Sequence, residues 1–190
     1  MATVTPSELI DGVFVVTPDV HGDERGCFVE TYRRSWFPGG REMIQANRAD
    51  RRASSIVGLH YHLHQADYWY IPMGRARVVL HDLRSGSPTD GVTLTVDLGA
   101  PVDGGPHDHR GVYIPPGVAH GFSALTDMTI TYLVDGYYNG ADELGVAWDD
   151  PEIEADWGVT DPVVSARDKA NPKRSELSDA LRPHSKLREG

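Results

Sequence analysis

An all-β sandwich or barrel is the fold class this sequence predicts, and three observations carry it. Short β-branched or aromatic runs alternate with clusters of Gly, Pro, Asn, Asp and Ser along most of the chain. Helical periodicity is almost absent. The stretch 58–74, GLHYHLHQADYWYIPMG, puts His60, His62 and His64 at alternate positions. Alternation is the side-chain period of a strand, so the three histidines are expected on one face. A surface strand gains little from three imidazoles in a row. A concave site that moves protons or holds a metal has a use for them.

The elements follow in order. GVFVVTP (12–18) reads as an opening strand. Gly22, Asp23 and Gly26 punctuate a turn, after which CFVETY resumes as a strand with Phe28 and Glu30 on one face and Arg25 at its mouth. WFPGGR (36–41) is a loop. Residues 42–49 are ambiguous, although the Gln45 and Asn47 spacing suits one face of a strand. The histidine strand follows, and Pro72 to Gly74 turns the chain. ARVVLHDL (76–83) and VTLTVDL (92–98) are strands joined by a Ser-, Gly-, Pro- and Asp-rich hairpin loop. After the loop GAPVDGGPHDHRG come a strand over 112–115 ending in PPGVAHGF, a strand over 128–134 and the loop YYNGADELG. Pro151, Pro162 and Pro172 break up the remainder. Only 173–181 looks helical, with Leu177 and Leu181 four apart, and the polar residues after it are expected to fray.

Length and composition bound the function. A chain of 190 residues is most simply one domain, with its core at about 10–168 and a C-terminal tail over 169–190. A formal net charge of -10 argues against a nucleic-acid or acidic-membrane binder, which needs a basic face. It leaves room for a local cationic pocket. The single cysteine, Cys27, excludes an internal disulfide framework, fits a reducing compartment and reads as a small packed residue. Residues 1–12 carry neither a basic nor an apolar export signature, and no apolar run approaches the roughly 18 residues of a membrane span. A cytoplasmic protein is expected.

Two glycine-bounded segments carry the chemistry. The first runs through His62, His64 and Asp67 to Gly74; the second sets Pro115, Gly117 and His120 in the pattern P-x-G-x-x-H. Together they resemble the two motifs of the cupin superfamily, which implies a jelly-roll β-barrel with its site inside. Imidazole plus carboxylate suits Zn, Fe, Mn or Ni. A metal site drawn from His60 or His62, His64, Asp67 and His120 is therefore one expectation, in an enzyme acting on another small molecule.

A narrower resemblance covers nearly the whole chain. GDERGCFVETY, QAN, SSIVGLHYH, DLRSGSPTDG, IPPGVAHGF, YYNGADELGVAWDDP and VSARD are similar, in order and spacing, to the dTDP-4-dehydrorhamnose 3,5-epimerase family. The resemblance implies a jelly-roll cupin with a short C-terminal helical segment, a homodimer, no metal or other cofactor, and a nucleotide-linked 4-keto-6-deoxyhexose as substrate. A hydrogen beside a ketone is acidic, and its epimerisation needs a base on one face and a proton donor on the other. By resemblance His60 is the base, Asp168 the carboxylate that orients it and Tyr132 the donor. Arg25, Glu30, Gln45, Asn47, His120, Glu143 and Arg167 match substrate-contacting positions, and Tyr138 matches an aromatic that stacks on the base.

The departures from the family are informative. Val57 stands where the family has an arginine, Asp67 where it has a lysine, and Val78 where it has an aspartate. His62 and His64 are additions that could restore positive charge or serve a different ligand. A third expectation is a non-catalytic carbohydrate-binding relative. Retention of His60, Tyr132 and Asp168 together argues against it.

Overall fold

The computed structural model describes residues 2–37 and 41–185. Two sheets face each other. The first orders β2 (Phe14–Thr17), β7 (Asp67–Met73), β10 (Gly111–Ile114), β12 (Met128–Val134), β5 (Gln45–Arg51) and β1 (Thr3–Pro6) as β1-β2-β10-β7-β12-β5. The second contains β6 (Ser55–Tyr61), β8 (Arg75–Asp82), β9 (Thr93–Gly99), β11 (Val118–Ala124) and β13 (Leu144–Gly145) in the order β13-β6-β11-β8-β9, with β14 (Val163–Val164) parallel to β6. All other pairings are antiparallel, and sequential strands repeatedly cross between sheets, as in a jelly roll. A separate hairpin pairs β3 (Val20–Asp23) with β4 (Gly26–Val29).

Alternation decides what each strand buries. On β8, Ala76, Val78 and Leu80 enter the core between the sheets with Ile71, Val112, Val118, Phe122 and Ile130. Val79, from the opposite face of β8, joins Ile56, Leu59, Tyr61, Leu83 and Ala119 in a second cluster outside that sheet. Val146, Ile153, Trp157 and Val164 cover it. With both faces buried, β8 reads as an apolar run rather than a clean alternation. Truncating Leu80 to Ala would cost about 2–5 kcal/mol. The aspartate to valine departure at Val78 is thus a core substitution, with no exposure at all. A third cluster, with Val16, Phe37, Met43, Tyr68 and Tyr113, backs the first sheet.

Several expectations need correction. The histidine strand ends at Tyr61. The buried Asp142 carboxylate accepts the backbone N–H of Leu63 at 2.6 Å and of His64 at 3.2 Å, and this turns the chain before β7 begins. The α-helix of the C-terminal part is α1 (Ala166–Lys169), capped by the Ser165 side chain, whereas 173–181 makes only a 3-10 turn at Arg174–Glu176. The tail expected to fray is tied down as far as it is described: Tyr61 donates to the Leu181 carbonyl, and Ser85 N–H to that of Pro183, while residues 186–190 lie outside the described residues. Cys27 is exposed on β4, not packed. Of the expected loop over 36–41, residues 38–40 lie outside the described residues. Among the described residues no helix is long and apolar enough to cross a membrane.

Candidate active site

One open end of the barrel holds a cavity of about 480 Å³, within the usual size range for small-molecule sites. Its first wall is β5, whose alternate residues Gln45, Asn47, Ala49 and Arg51 face inward while Ala46, Arg48 and Asp50 are exposed. Tyr132 on β12 and Trp69 on β7 continue that sheet. The opposite wall is β6 with Val57 and His60, and β11 with His120 and Phe122. Gly58 brings these two strands together. Its φ is +109°, and a Cβ there would lie 2.7 Å from the His120 carbonyl oxygen. His60 and His120 are consequently register partners across the β6–β11 pair.

His60 forms a dyad with Asp168. His60 Nε2 is 2.7 Å from Asp168 Oδ1, across 108 residues of chain. A carboxylate only accepts, so Nε2 carries the proton and the neutral ring keeps its lone pair on Nδ1. Asp168 is itself fixed on α1: its backbone N–H caps onto Ser165 Oγ, and its Oδ2 accepts the Gly58 N–H at 3.4 Å. Burial alone would raise the Asp168 carboxyl. The hydrogen bond and charge of His60, with smaller help from Ser165 and Gly58, outweigh it and hold the group below its ordinary value. Tyr132 stands on the other sheet. Burial, then the negative charge of Asp67, raises its phenol above the usual value, so it is protonated at neutral pH.

A second histidine–carboxylate group lines the same cavity. His62, Asp67 and His120 are each about 5% exposed or less, with potential ligand atoms all within 4.8 Å of one another. Asp67 accepts from Gln65 Nε2 at 3.0 Å and Trp69 Nε1 at 3.1 Å. Burial, opposed by Asp67 and reinforced by His62, pushes His120 down to about 4, so its ring is neutral at pH 7. His64, grouped with these residues on the alternation pattern, is exposed on the turn and takes no part. Of the four residues grouped as metal ligands by spacing, the structure therefore brings together three.

The other sequence-derived candidates divide cleanly. Gln45, Asn47, His120, Tyr138, Glu143 and Arg167 all line the cavity. Arg167 donates to the Glu143 carbonyl at 3.1 Å and approaches its carboxylate at 3.6 Å. Tyr138 is 75% exposed at the mouth. Arg25 and Glu30 are not brought in. Arg25 is paired with Asp23 on the β3–β4 hairpin, and Glu30 is bound to Arg33 in a separate groove. Arg51 is a cavity residue that the motifs missed. Extending the Gln45 and Asn47 alternation by two further steps would have found it.

Comparison with known proteins gives this geometry a context. The sequence profile of dTDP-4-dehydrorhamnose 3,5-epimerase matches residues 7–176. A dTDP-4-dehydrorhamnose 3-epimerase from Streptomyces niveus is 35% identical over 182 residues, which cover 90% of this chain and 84% of the relative. A dTDP-4-dehydrorhamnose 3,5-epimerase from Shigella flexneri is 34% identical over 167 residues, covering 84% of this chain and 89% of the relative. The crystal structure of a 4-keto-6-deoxy sugar epimerase from the novobiocin biosynthetic gene cluster of Streptomyces spheroides superimposes with a TM-score of 0.87 at 31% identity, over 98% of this chain and 95% of that one. These matches favour a sugar epimerase over a metal-dependent enzyme acting on another small molecule. The chain belongs to the dTDP-4-dehydrorhamnose 3,5-epimerase family.

Proposed function

We propose that this protein is an isomerase that epimerises a dTDP-linked 4-keto-6-deoxyhexose in deoxysugar biosynthesis. The observation that carries the mechanism is the 2.7 Å His60–Asp168 contact, which leaves Nδ1 of His60 as the free base. Neutral His60 takes the proton from the carbon beside the ketone. The electron pair moves into the carbonyl as an enolate, and the new imidazolium is held by the Asp168 carboxylate. Tyr132, on the opposing sheet, returns a proton to the other face of the same carbon. Its high phenol value suits a donor that must keep its proton until the enolate forms.

Binding follows from the rest of the cavity. Arg51 and Arg167 are its lining cations and face the diphosphate, while Gln45, Asn47, His120 and Glu143 offer hydrogen bonds to the sugar. Tyr138 at the mouth stacks on the thymine. Val57 supplies no charge where the family has an arginine, and Arg51, which lines the same cavity, is the substitute cation.

Arg25 and Glu30 support a homodimer. The β3–β4 hairpin carries them away from their own cavity and exposes Phe28 (69%) and Val20 (49%). Exposed aromatic and aliphatic side chains on a free hairpin gain by docking on a second copy, where Arg25 and Glu30 would reach substrate. Cys27, exposed and free on the same hairpin, fits a cytoplasmic, reducing setting.

The test is isotope wash-in. In D2O, dTDP-4-keto-6-deoxyglucose should gain deuterium at C3, C5 or both, read by NMR, and His60→Ala should abolish the exchange. Absence of exchange with intact protein across several nucleotide sugars would sink the proposal. Sedimentation should give a dimer, and deletion of the hairpin a monomer.

A further inference from the structure

The proposed chemistry uses His60, Asp168 and Tyr132 and leaves the Asp67 carboxylate without a task. Asp67 lines the cavity and is 4% exposed. Its oxygens accept from Gln65 Nε2 and Trp69 Nε1, both uncharged donors. Among the described residues no Lys or Arg nitrogen pairs with it. Of the cations lining the cavity, Arg167 is drawn to Glu143 and Arg51 lies at the far end of β5. The two imidazoles beside Asp67 offer it no proton either. His62 Nδ1 is 2.8 Å from the Asp142 carbonyl oxygen, and His120 Nδ1 is 3.0 Å from that of Val118. A carbonyl cannot donate, so both rings carry their proton on Nδ1, and in the neutral form each presents a lone pair at Nε2. Those Nε2 atoms stand 3.7 Å (His62) and 3.9 Å (His120) from the carboxylate, too long for hydrogen bonds. Three acceptors, each at least nine-tenths buried, thus converge on the cavity with no donor between them.

We propose that Asp67, His62 and His120 receive a protonated amino group of the sugar, so that the preferred substrate is a dTDP-linked 3-amino-3,6-dideoxy-4-keto hexose. The inference rests on the epimerase reading and narrows its substrate class. An ammonium carries three donors and no acceptor, the complement of these three acceptors. A hydroxyl carries one donor and would leave two buried acceptors unmet. A buried carboxylate without a cation is costly, and a cationic ligand offsets that cost. The dimensions agree. An ammonium nitrogen about 2.9 Å from three acceptors at tetrahedral angles sets them roughly 4.7 Å apart. The three acceptor atoms lie within 4.8 Å of one another, and the pairs at 3.7 and 3.9 Å open to that separation with small side-chain rotations. The position on the sugar follows from the base. His120 is the register partner of His60, so the group held there is attached close to the carbon that loses its proton. Of the two carbons beside the C4 ketone, C5 carries the ring oxygen and the methyl group, and C3 alone has a replaceable polar substituent. On C3 the ammonium lies beside the enolate oxygen that forms at C4, and its charge stabilises that oxygen. Asp67 stands where the family has a lysine. With an amino sugar bound, the cation at this point comes from the ligand and the anion from the protein.

Calorimetry on the full-length protein tests this with two stable ligands that differ in one group, dTDP-3-amino-3,6-dideoxyglucose and dTDP-6-deoxyglucose. Both carry a C4 hydroxyl in place of the ketone, so neither turns over. At neutral pH the wild-type protein should bind the amine at least about 10²-fold more tightly. That comparison needs no variant to fold. In Asp67→Asn the preference should disappear, and in Asp67→Lys it should reverse. Equal affinities in the wild-type protein, or a preference for the hydroxyl ligand, would overturn the inference and leave the epimerase reading standing. So would an undiminished ratio in folded Asp67→Asn, the result of a merely structural role for that carboxylate. Binding of neither nucleotide sugar would instead remove the epimerase reading, and this inference with it.

Discussion

Two histidine–carboxylate groups line one cavity and differ in where their protons sit. In the His60–Asp168 pair the carboxylate itself receives the ring proton, at 2.7 Å. In the His62–Asp67–His120 group, backbone carbonyls receive the ring protons, and the carboxylate faces lone pairs at 3.7 and 3.9 Å. The first arrangement makes a base with a matched counter-charge. The second sets a buried carboxylate opposite two ring nitrogens without a hydrogen bond to either. Residue types are the same in both, so composition cannot separate the roles. The hydrogen-bond partner of each ring nitrogen does.

Substitutions can break this contrast, and the largest effect is expected at His60. His60→Ala should lower deuterium exchange by roughly 10³-fold or more, because it removes the ring that the Asp168 carboxylate orients and charges as the base. Next, Asp168→Asn should reduce kcat by about 10²-fold in the same exchange assay. An equal loss in Asp67→Asn would mean that the two groups act as one network. Tyr132→Phe should sharpen the division of labour within the first group. Exchange through His60 persists, but formation of the inverted product falls by about 10²-fold, as product analysis by NMR would show.

A smaller effect uses a third buried histidine as a control. His81 donates from Nδ1 to Thr93 Oγ1 at 2.8 Å, and its Nε2 has no hydrogen-bond partner among the described residues. Burial, followed by the charge of Arg174, pushes it down to about 4. A base with a lowered folded value is protonated first in the unfolded chain. Its stabilising share is therefore complete above the unfolded value of 6.5 and declines as pH falls towards about 4. Urea titrations should show a loss of at most about 1.4 kcal/mol per pH unit across that window, on the order of 3 kcal/mol in all, and His81→Leu should flatten the slope. The least effect is expected from His64→Gln, whose exchange rate and stability should match wild type.

Much of the fold was legible because alternation is a backbone property. The inward face of β5 follows from Gln45 and Asn47, and the doubly buried β8 from its apolar run. The helix expected over 173–181 did not form, since its two leucines share no buried face: Leu177 packs against the second core cluster and Leu181 does not. Leu181 is exposed, and the segment is tied instead by Arg174 and Arg182 to Asp90. Cys27 defeated a composition argument, because the β3–β4 hairpin holds it outside the core clusters and leaves it exposed.

By itself the sequence determined the all-β architecture, the motif spacing that marks the family, and the candidacy of His60, Tyr132 and Asp168. These depend on residue order and local period. The tertiary structure decided which histidines work together. Asp142, some 79 residues on, ends the histidine strand by capping Leu63 and His64, so His62 turns inwards and His64 outwards. Asp168 reaches His60 across 108 residues, and Asp67 meets His120 from the opposing sheet. Such pairings are set by where distant turns and strands pack, a property of the closed barrel that no local period encodes.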